Sequence, residues 1–226
     1  MNRVNEDVCI QFHKLIDSND EKGAIEFLEK SSLLDVSYKH NERIPIFSAI
    51  SNKMTDLAVK IVNHPTFDAL VEDDFGESLF ESLIYLYGAN EAIFGDKECE
   101  EMCVKLIKEI IEQGNADVLN QQDLNEDTAI MIACEYPKCL WIVEALASNE
   151  DVNINLINDF DCSVLTDAIR NRNAQAIEVL VKRKDLVVRP RDLEMADKYG
   201  FILDRFGIDT SKLKEEEVNE YAVATA

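Results

Sequence analysis

One short pattern recurs four times, and its spacing constrains the fold more than any other feature of the chain. It reads Glu42-Arg43-Ile44-Pro45-Ile46-Phe47-Ser48-Ala49, Gly76-Glu77-Ser78-Leu79-Phe80-Glu81-Ser82-Leu83, Glu126-Asp127-Thr128-Ala129-Ile130-Met131-Ile132-Ala133 and Asp161-Cys162-Ser163-Val164-Leu165-Thr166-Asp167-Ala168. Each copy opens on a turn-type or polar residue, passes a cap or β-branched residue and continues with apolar side chains at helical spacing. The closing positions 49, 83, 133 and 168 are 34, 50 and 35 residues apart. The two intervals of 34 and 35 residues imply stacked supersecondary units, since no single unit can bury its apolar side alone. The third interval reads as the same unit with an insertion near 85–98.

A second amphipathic stretch follows each copy, as in Asp56-Leu57-Ala58-Val59-Lys60-Ile61-Val62 and Glu178-Val179-Leu180-Val181. In residues 103–111, Val104, Ile107, Lys108 and Ile111 share one helical surface, apolar but for the lysine. Gly114 then stands where a helix stop is expected, a glycine tolerating positive φ. Residues 115–120 and 149–155 mix Asn and Asp with single aliphatics, the composition of extended links and turns.

On these residues the chain resembles the ankyrin-repeat family. Gly114 to Asn120 is similar to that family's exit segment, Asp123 to Thr128 to its turn, and Ala129 to Ala133 to its first helix. The resemblance implies an all-α ankyrin-type helical repeat solenoid with about four repeats plus terminal caps. Its divisions are an N-terminal capping helix pair in 1–37, repeats at 38–71, 72–121, 122–156 and 157–188, a C-terminal cap in 189–210 and a flexible tail at 211–226. The capping pair carries Phe12, Leu15 and Ile16, then Ala24, Ile25, Phe27 and Leu28, as apolar stripes. Pro190 opens a helix in the C-terminal cap, as N1 prolines do. The repeats depart from the family pattern. Only Gly76 keeps the turn glycine, with Glu42, Glu126 and Asp161 elsewhere, where Glu bears positive φ less easily than Asp. The family histidine that ties helix to turn is replaced by Phe47, Glu81, Met131 and Thr166. A less regular array than a consensus one follows.

Charge limits the partners. The 226 residues hold 45 acidic against 23 basic side chains, a formal charge of -22. Such a surface disfavours direct binding of nucleic acid, whose affinity comes from Lys and Arg displacing counterions, and docking on an anionic membrane. Residues 1–169 carry all of that excess, 34 acidic against 12 basic. The remainder is balanced, and Arg170, Arg172, Lys182, Arg183, Lys184, Arg189 and Arg191 form a basic cluster in it. That cluster reads either as a solvated surface or as an electrostatic docking face. No apolar run approaches a membrane span, and the opening residues show no signal-peptide h-region. With six scattered cysteines expected as reduced thiols, a cytoplasmic protein is expected.

Signs of chemistry are few. The seven glycines form no phosphate-binding loop, and His13, His40 and His64 have no metal-type spacing. Neither Cys99 and Cys103 nor Cys134 and Cys139 has the spacing of a zinc pair. No cofactor, metal or catalytic residue is expected, and an unrecognised enzyme is the third reading. What a repeat array offers is surface. The family's partners dock on hairpin tips and the exposed side of first helices. Carried over position by position, that face comprises Tyr38, His40, Asn41 and Arg43; Glu72, Asp74, Phe75 and Glu77; Gln122, Leu124, Asn125 and Asp127; and Ile157, Asp159, Phe160 and Cys162. A large aromatic beside a polar turn ordinarily packs against its neighbour; if exposed, Phe75 or Phe160 is an anchor ringed by carboxylates. The first expectation is a non-enzymatic interaction module (adaptor, inhibitor or effector) whose acidic concave face binds a basic protein surface. The second is an acidic decoy that imitates nucleic acid and inhibits a DNA- or RNA-binding enzyme. The insertion, with Tyr85, Tyr87, Gly88, Phe94 and Gly95, either lengthens two helices or forms a functional loop.

Overall fold

A computed structural model describes residues 5–73, 76–93 and 96–210. The expected tail at 211–226, Asp74 and Phe75 of the candidate face, and Phe94 and Gly95 of the insertion lie outside the described residues. The chain divides into two compact units, 1–121 and 122–226. Among the described residues both are built of helices, with isolated β-bridges and no strand.

In the first unit, α1 (Glu6–Asp17) and α2 (Glu21–Lys30) form an antiparallel pair. The Asn5 carboxamide caps α1 by accepting from the amides of Asp7 and Val8, at 3.1 and 3.4 Å. Phe12 and Ile16 on one helix and Ala24 and Leu28 on the other are buried. The pair then stacks in register on the next, α3 (Pro45–Ser51) and α4 (Thr55–Val62): α1 packs on α3 and α2 on α4. This first-on-first, second-on-second contact is how a row of short helices acquires a core. The insertion lengthens both helices of the following pair. α5 (Leu79–Ile93) has 15 residues and α6 (Lys97–Gln113) has 17, where α3 and α4 have 7 and 8. Leu106 and Ile107 of α6 are fully buried, and truncating either to Ala is expected to cost about 2–5 kcal/mol.

Two local expectations are corrected. Gly114 does end α6, but with φ -65° rather than a positive angle. Glycine is needed there because a Cβ would meet the Ile110 carbonyl oxygen at 2.6 Å. Residues 115–120 are not extended either. They hold a one-turn helix, α7 (Ala116–Leu119), capped by Asn115 and buried through Val118 and Leu119. Asn read as a turn residue is here a helix cap, since its short acceptor serves both roles.

The second unit repeats the arrangement with α8 (Ala129–Glu135), α9 (Leu140–Ser148), α10 (Val164–Arg170), α11 (Ala174–Leu180) and α12 (Pro190–Tyr199). Helices α8, α10 and α12 pack in one file and α9 and α11 in another. Pro190 stands in the first turn of α12, where its missing amide proton costs nothing.

Before each first helix the chain makes a hairpin closed by one bridge: His40 to Arg43, Glu72 to Ser78, Gln122 to Thr128 and Ile157 to Ser163. The four turn positions all have positive φ, 63° at Glu42, 75° at Gly76, 61° at Glu126 and 55° at Asp161. The conformation outlasts the glycine. At two of the four positions where the resemblance implies a histidine, a polar side chain bonds in its place. Glu81 accepts from the Ser78 amide at 2.9 Å while the Ser78 hydroxyl accepts from the Glu81 amide at 3.2 Å. This is a reciprocal capping box. Thr166 and Ser163 donate instead to Asp192 of α12, at 2.5 and 2.6 Å. The other Asp192 oxygen accepts from the Arg189 amide at 2.7 Å, so this fully buried carboxylate ties hairpin, α10 and α12 together.

Candidate protein-docking face

In the first unit the carried-over residues are largely occupied. Tyr38 is half-buried, and its carbonyl oxygen lies 2.8 Å from His13 Nε2. A carbonyl can only accept, so that nitrogen carries the proton, and burial lowers the His13 pKa, which favours the neutral ring. His40 lies beside it, ring centroids 5.5 Å apart. Asn41 and Arg43 are exposed, and Arg43 pairs with Asp17 at 3.1 Å. Glu72 is exposed and accepts from Gln121 at 3.3 Å, while Glu77 is half-buried, its amide donating to Asp73. An open cleft of about 570 Å³ runs past Asp17, Arg43, Phe47 and Glu72.

The second unit uses the brace that Asp73 gives Glu77 in both of its hairpins. Each long hairpin is organised from within by one side chain absent from the carried-over set. Asp123 Oδ1 accepts from the amides of Asn125 and Asp127, both at 2.8 Å. Asn158 Oδ1 accepts from Phe160 at 3.0 Å and Cys162 at 2.9 Å. The two hairpins are then bonded to each other. The Asp159 amide donates to the Asn125 carbonyl at 2.9 Å, Gln122 to the Ile157 carbonyl at 3.1 Å, and Asn158 Nδ2 to Asp127 at 2.6 Å.

On that braced platform Leu124 is 75% and Phe160 62% exposed. Phe160 therefore does not tuck against its neighbour; its amide is held by Asn158, which aims the ring outward. Asn125, Glu126, Asp159 and Asp161 are exposed around the two apolar residues, and Ile157 is half-buried. Cys162 is a correction. It is 2% exposed, its sulfur lying 3.6 Å from the Phe160 carbonyl, and it offers no surface. Beside Phe160 an open cleft of about 570 Å³ is lined by Asp161, Pro190, Arg191 and Glu194.

Behind the hairpins the first helices bring together charges that the sequence reading did not group. Asp127, Glu135 at the end of α8, and Asp167 and Arg170 on α10 act on one another electrostatically. Burial, reinforced by Asp127, pushes the Asp167 carboxyl up to about 7, and Asp127 and Glu135 are raised as well. Hydropathy patterning could not have found this group, because its members come from two repeats about 40 residues apart.

The basic cluster is mostly spent internally. Arg183 donates to the carbonyls of Ala147, Asn149 and Val152 at 3.0–3.2 Å and pairs with Asp185. Arg189 pairs with Asp161, Arg191 with Glu194 and Arg170 with Asp167. The six cysteines are buried and unbridged. Burial raises the thiols of Cys9, Cys99, Cys134 and Cys162 and pushes Cys139 up to about 12, which suppresses the reactive thiolate. Among the described residues no three His, Cys, Asp or Glu are placed to hold a metal ion, and no helix is long and apolar enough to cross a membrane.

Residues 96–190 match the family model of ankyrin repeats in three copies. An ankyrin repeat domain from Acinetobacter baumannii AYE, solved at 1.00 Å resolution, shares the fold with a TM-score of 0.59. The match covers 84% of this chain and 91% of that one, at 16% identity, a likeness of fold alone. No curated protein matches the chain.

Proposed function

We propose that this chain, whose residues 96–190 are ankyrin repeats, is a non-enzymatic protein-interaction module that engages a basic partner surface. Ankyrin repeats are generally protein–protein interaction modules. The observation that carries the finer reading is the exposure of Leu124 and Phe160 on two hairpins bonded to each other, with Glu126, Asp159 and Asp161 exposed on the same loops. Rigid apolar anchors inside a charged rim are the arrangement of a binding hot spot. Burying each side chain under a partner contributes about 2 kcal/mol. The carboxylates speed encounter with a cationic surface and reject an anionic one.

The test uses the full chain as bait in native extract, at low and high salt, followed by titration of the partner so identified. Leu124→Ala and Phe160→Ala are each expected to weaken that complex by roughly tenfold or more, with thermal stability nearly unchanged. A rise in salt is expected to slow association. A complex indifferent to both substitutions overturns the reading. If that complex also yields to competing nucleic acid, the decoy reading takes its place.

A further inference from the structure

Asp167 has an incomplete set of partners. It is 4% exposed, its Oδ1 lies 3.4 Å from Arg170 Nη1, and its Oδ2 has no hydrogen-bond partner. An unmatched oxygen on a buried carboxylate is costly enough to call for a reason. The charges that face it come from three elements. They are Asp127 on the hairpin of the third repeat, Glu135 at the end of α8, and Asp192 on α12, with Arg170 on its own helix. Asp192 is already satisfied by Ser163, Thr166 and the Arg189 amide. Cys134 and Cys162 also lie within its field, both as raised, neutral thiols. Among the described residues Arg170 is the one cation that acts on Asp167, Asp127 and Glu135, against a further carboxylate at Asp123, and it divides its contacts between Asp167 and the Cys162 sulfur at 3.6 Å.

The group is short of positive charge. We propose that Asp167, Asp127 and Glu135 together accept one cationic side chain, a lysine or arginine, of the protein partner. This deepens the docking reading above and rests on it. Glu135 is exposed, Asp127 half-buried and Asp167 buried, so the carboxylates grade from solvent inward. An arriving ammonium or guanidinium meets Glu135 first and then Asp127, and it supplies the donor that Oδ2 lacks once the buried Asp167 side chain turns toward it. Its arrival favours the ionised carboxylates and therefore releases protons. Asp167 is raised to about 7 without it, so binding strengthens as pH rises from about 6 to about 8.

The experiment follows side-chain carboxyl carbons by NMR in the full chain from pH 5.5 to 8.5, with and without an acetylated, amidated hexaarginine peptide. The expected result is a fall of about one unit or more in the Asp167 midpoint, larger than the mean change over the exposed carboxylates. Uncharged hexaglutamine should leave it in place. Asp167→Asn and, separately, Glu135→Gln should each weaken hexaarginine binding several-fold. The second lies on the exposed end of α8 and leaves the buried network intact. An unmoved Asp167 midpoint overturns the proposal, whether the peptide binds elsewhere or not at all, and so does unchanged affinity in both variants. Failure of the docking reading is seen separately, in a captured complex that ignores Leu124→Ala and Phe160→Ala.

Discussion

The first and fourth hairpins turn the same corner by opposite means. Between His40 and Arg43 the chain uses two residues, Asn41 and Glu42, at φ 50° and 63°. Two positive-φ residues in succession define the tight turn whose twist suits a hairpin, and it needs no side chain from elsewhere. The fourth hairpin spans Ile157 to Ser163 and is fastened from inside, by Asn158 within the loop and by Asp192 from α12. A short turn stores its shape in backbone angles, at the expense of strain in a glutamate. A long one stores it in buried polar bonds, which leaves its tip free to carry an exposed ring such as Phe160. Presentation of an anchor therefore belongs to the second design.

Removing those fastenings is the strongest way to break this contrast. Asp192→Ala removes the acceptor shared by the buried Ser163 and Thr166 hydroxyls and the one that holds the half-buried Arg189 amide. The expected loss is about 4 kcal/mol in urea unfolding, because each unmatched donor carries its own desolvation cost. A loss below about 1 kcal/mol would mean that the fourth hairpin holds itself, as the first does. Asn158→Ala comes next. It strips the acceptor from the Phe160 and Cys162 amides and the donor from Asp127, at an expected cost of about 2 kcal/mol. His40→Ala in the first hairpin should stay within about 1 kcal/mol, since backbone bonds close that turn and the ring adds an exposed bond to Asn41 and a contact with His13. The smallest effect sharpens the comparison by its sign. Glu42→Gly relieves left-handed strain and should raise stability by roughly 0.5 kcal/mol, even with its exposed Lys39 pair lost. Asp161→Gly should gain nothing, because Asp tolerates the conformation and its Arg189 pair would go. Paired thermal melts of the two glycine variants decide it, and equal shifts would contradict the account.

Much of the fold was legible because repeats write their packing into local sequence. The turn positions 42, 76, 126 and 161 were readable from their register with the first helices, and all four have positive φ. Gly114 shows the limit of such reading. Its place at a helix end was visible, yet the reason for glycine was contact with the Ile110 carbonyl, a matter of atoms brought close by folding. Of the face, Leu124 and Phe160 stand exposed, Phe160 against the ordinary packing of an aromatic beside a turn, while Cys162, in the same register, is buried. Asp123 and Asn158 looked like ordinary turn residues. Their amide contacts became visible only once the loop was closed.

Sequence alone determined where each helix pair begins, where the chain reverses and how often. Those depend on caps, turn angles and the spacing of apolar side chains along one short stretch. Tertiary structure decided which carboxylates meet. Asp127, Glu135 and Asp167 share one field, and Asp192 reaches back to Ser163, because stacking sets different repeats side by side. Burial then turns ordinary acidic residues into a raised carboxyl at one position and a satisfied anchor at another. Solvent removal acts on neighbours in space, and adjacency between repeats is written nowhere in the order of residues.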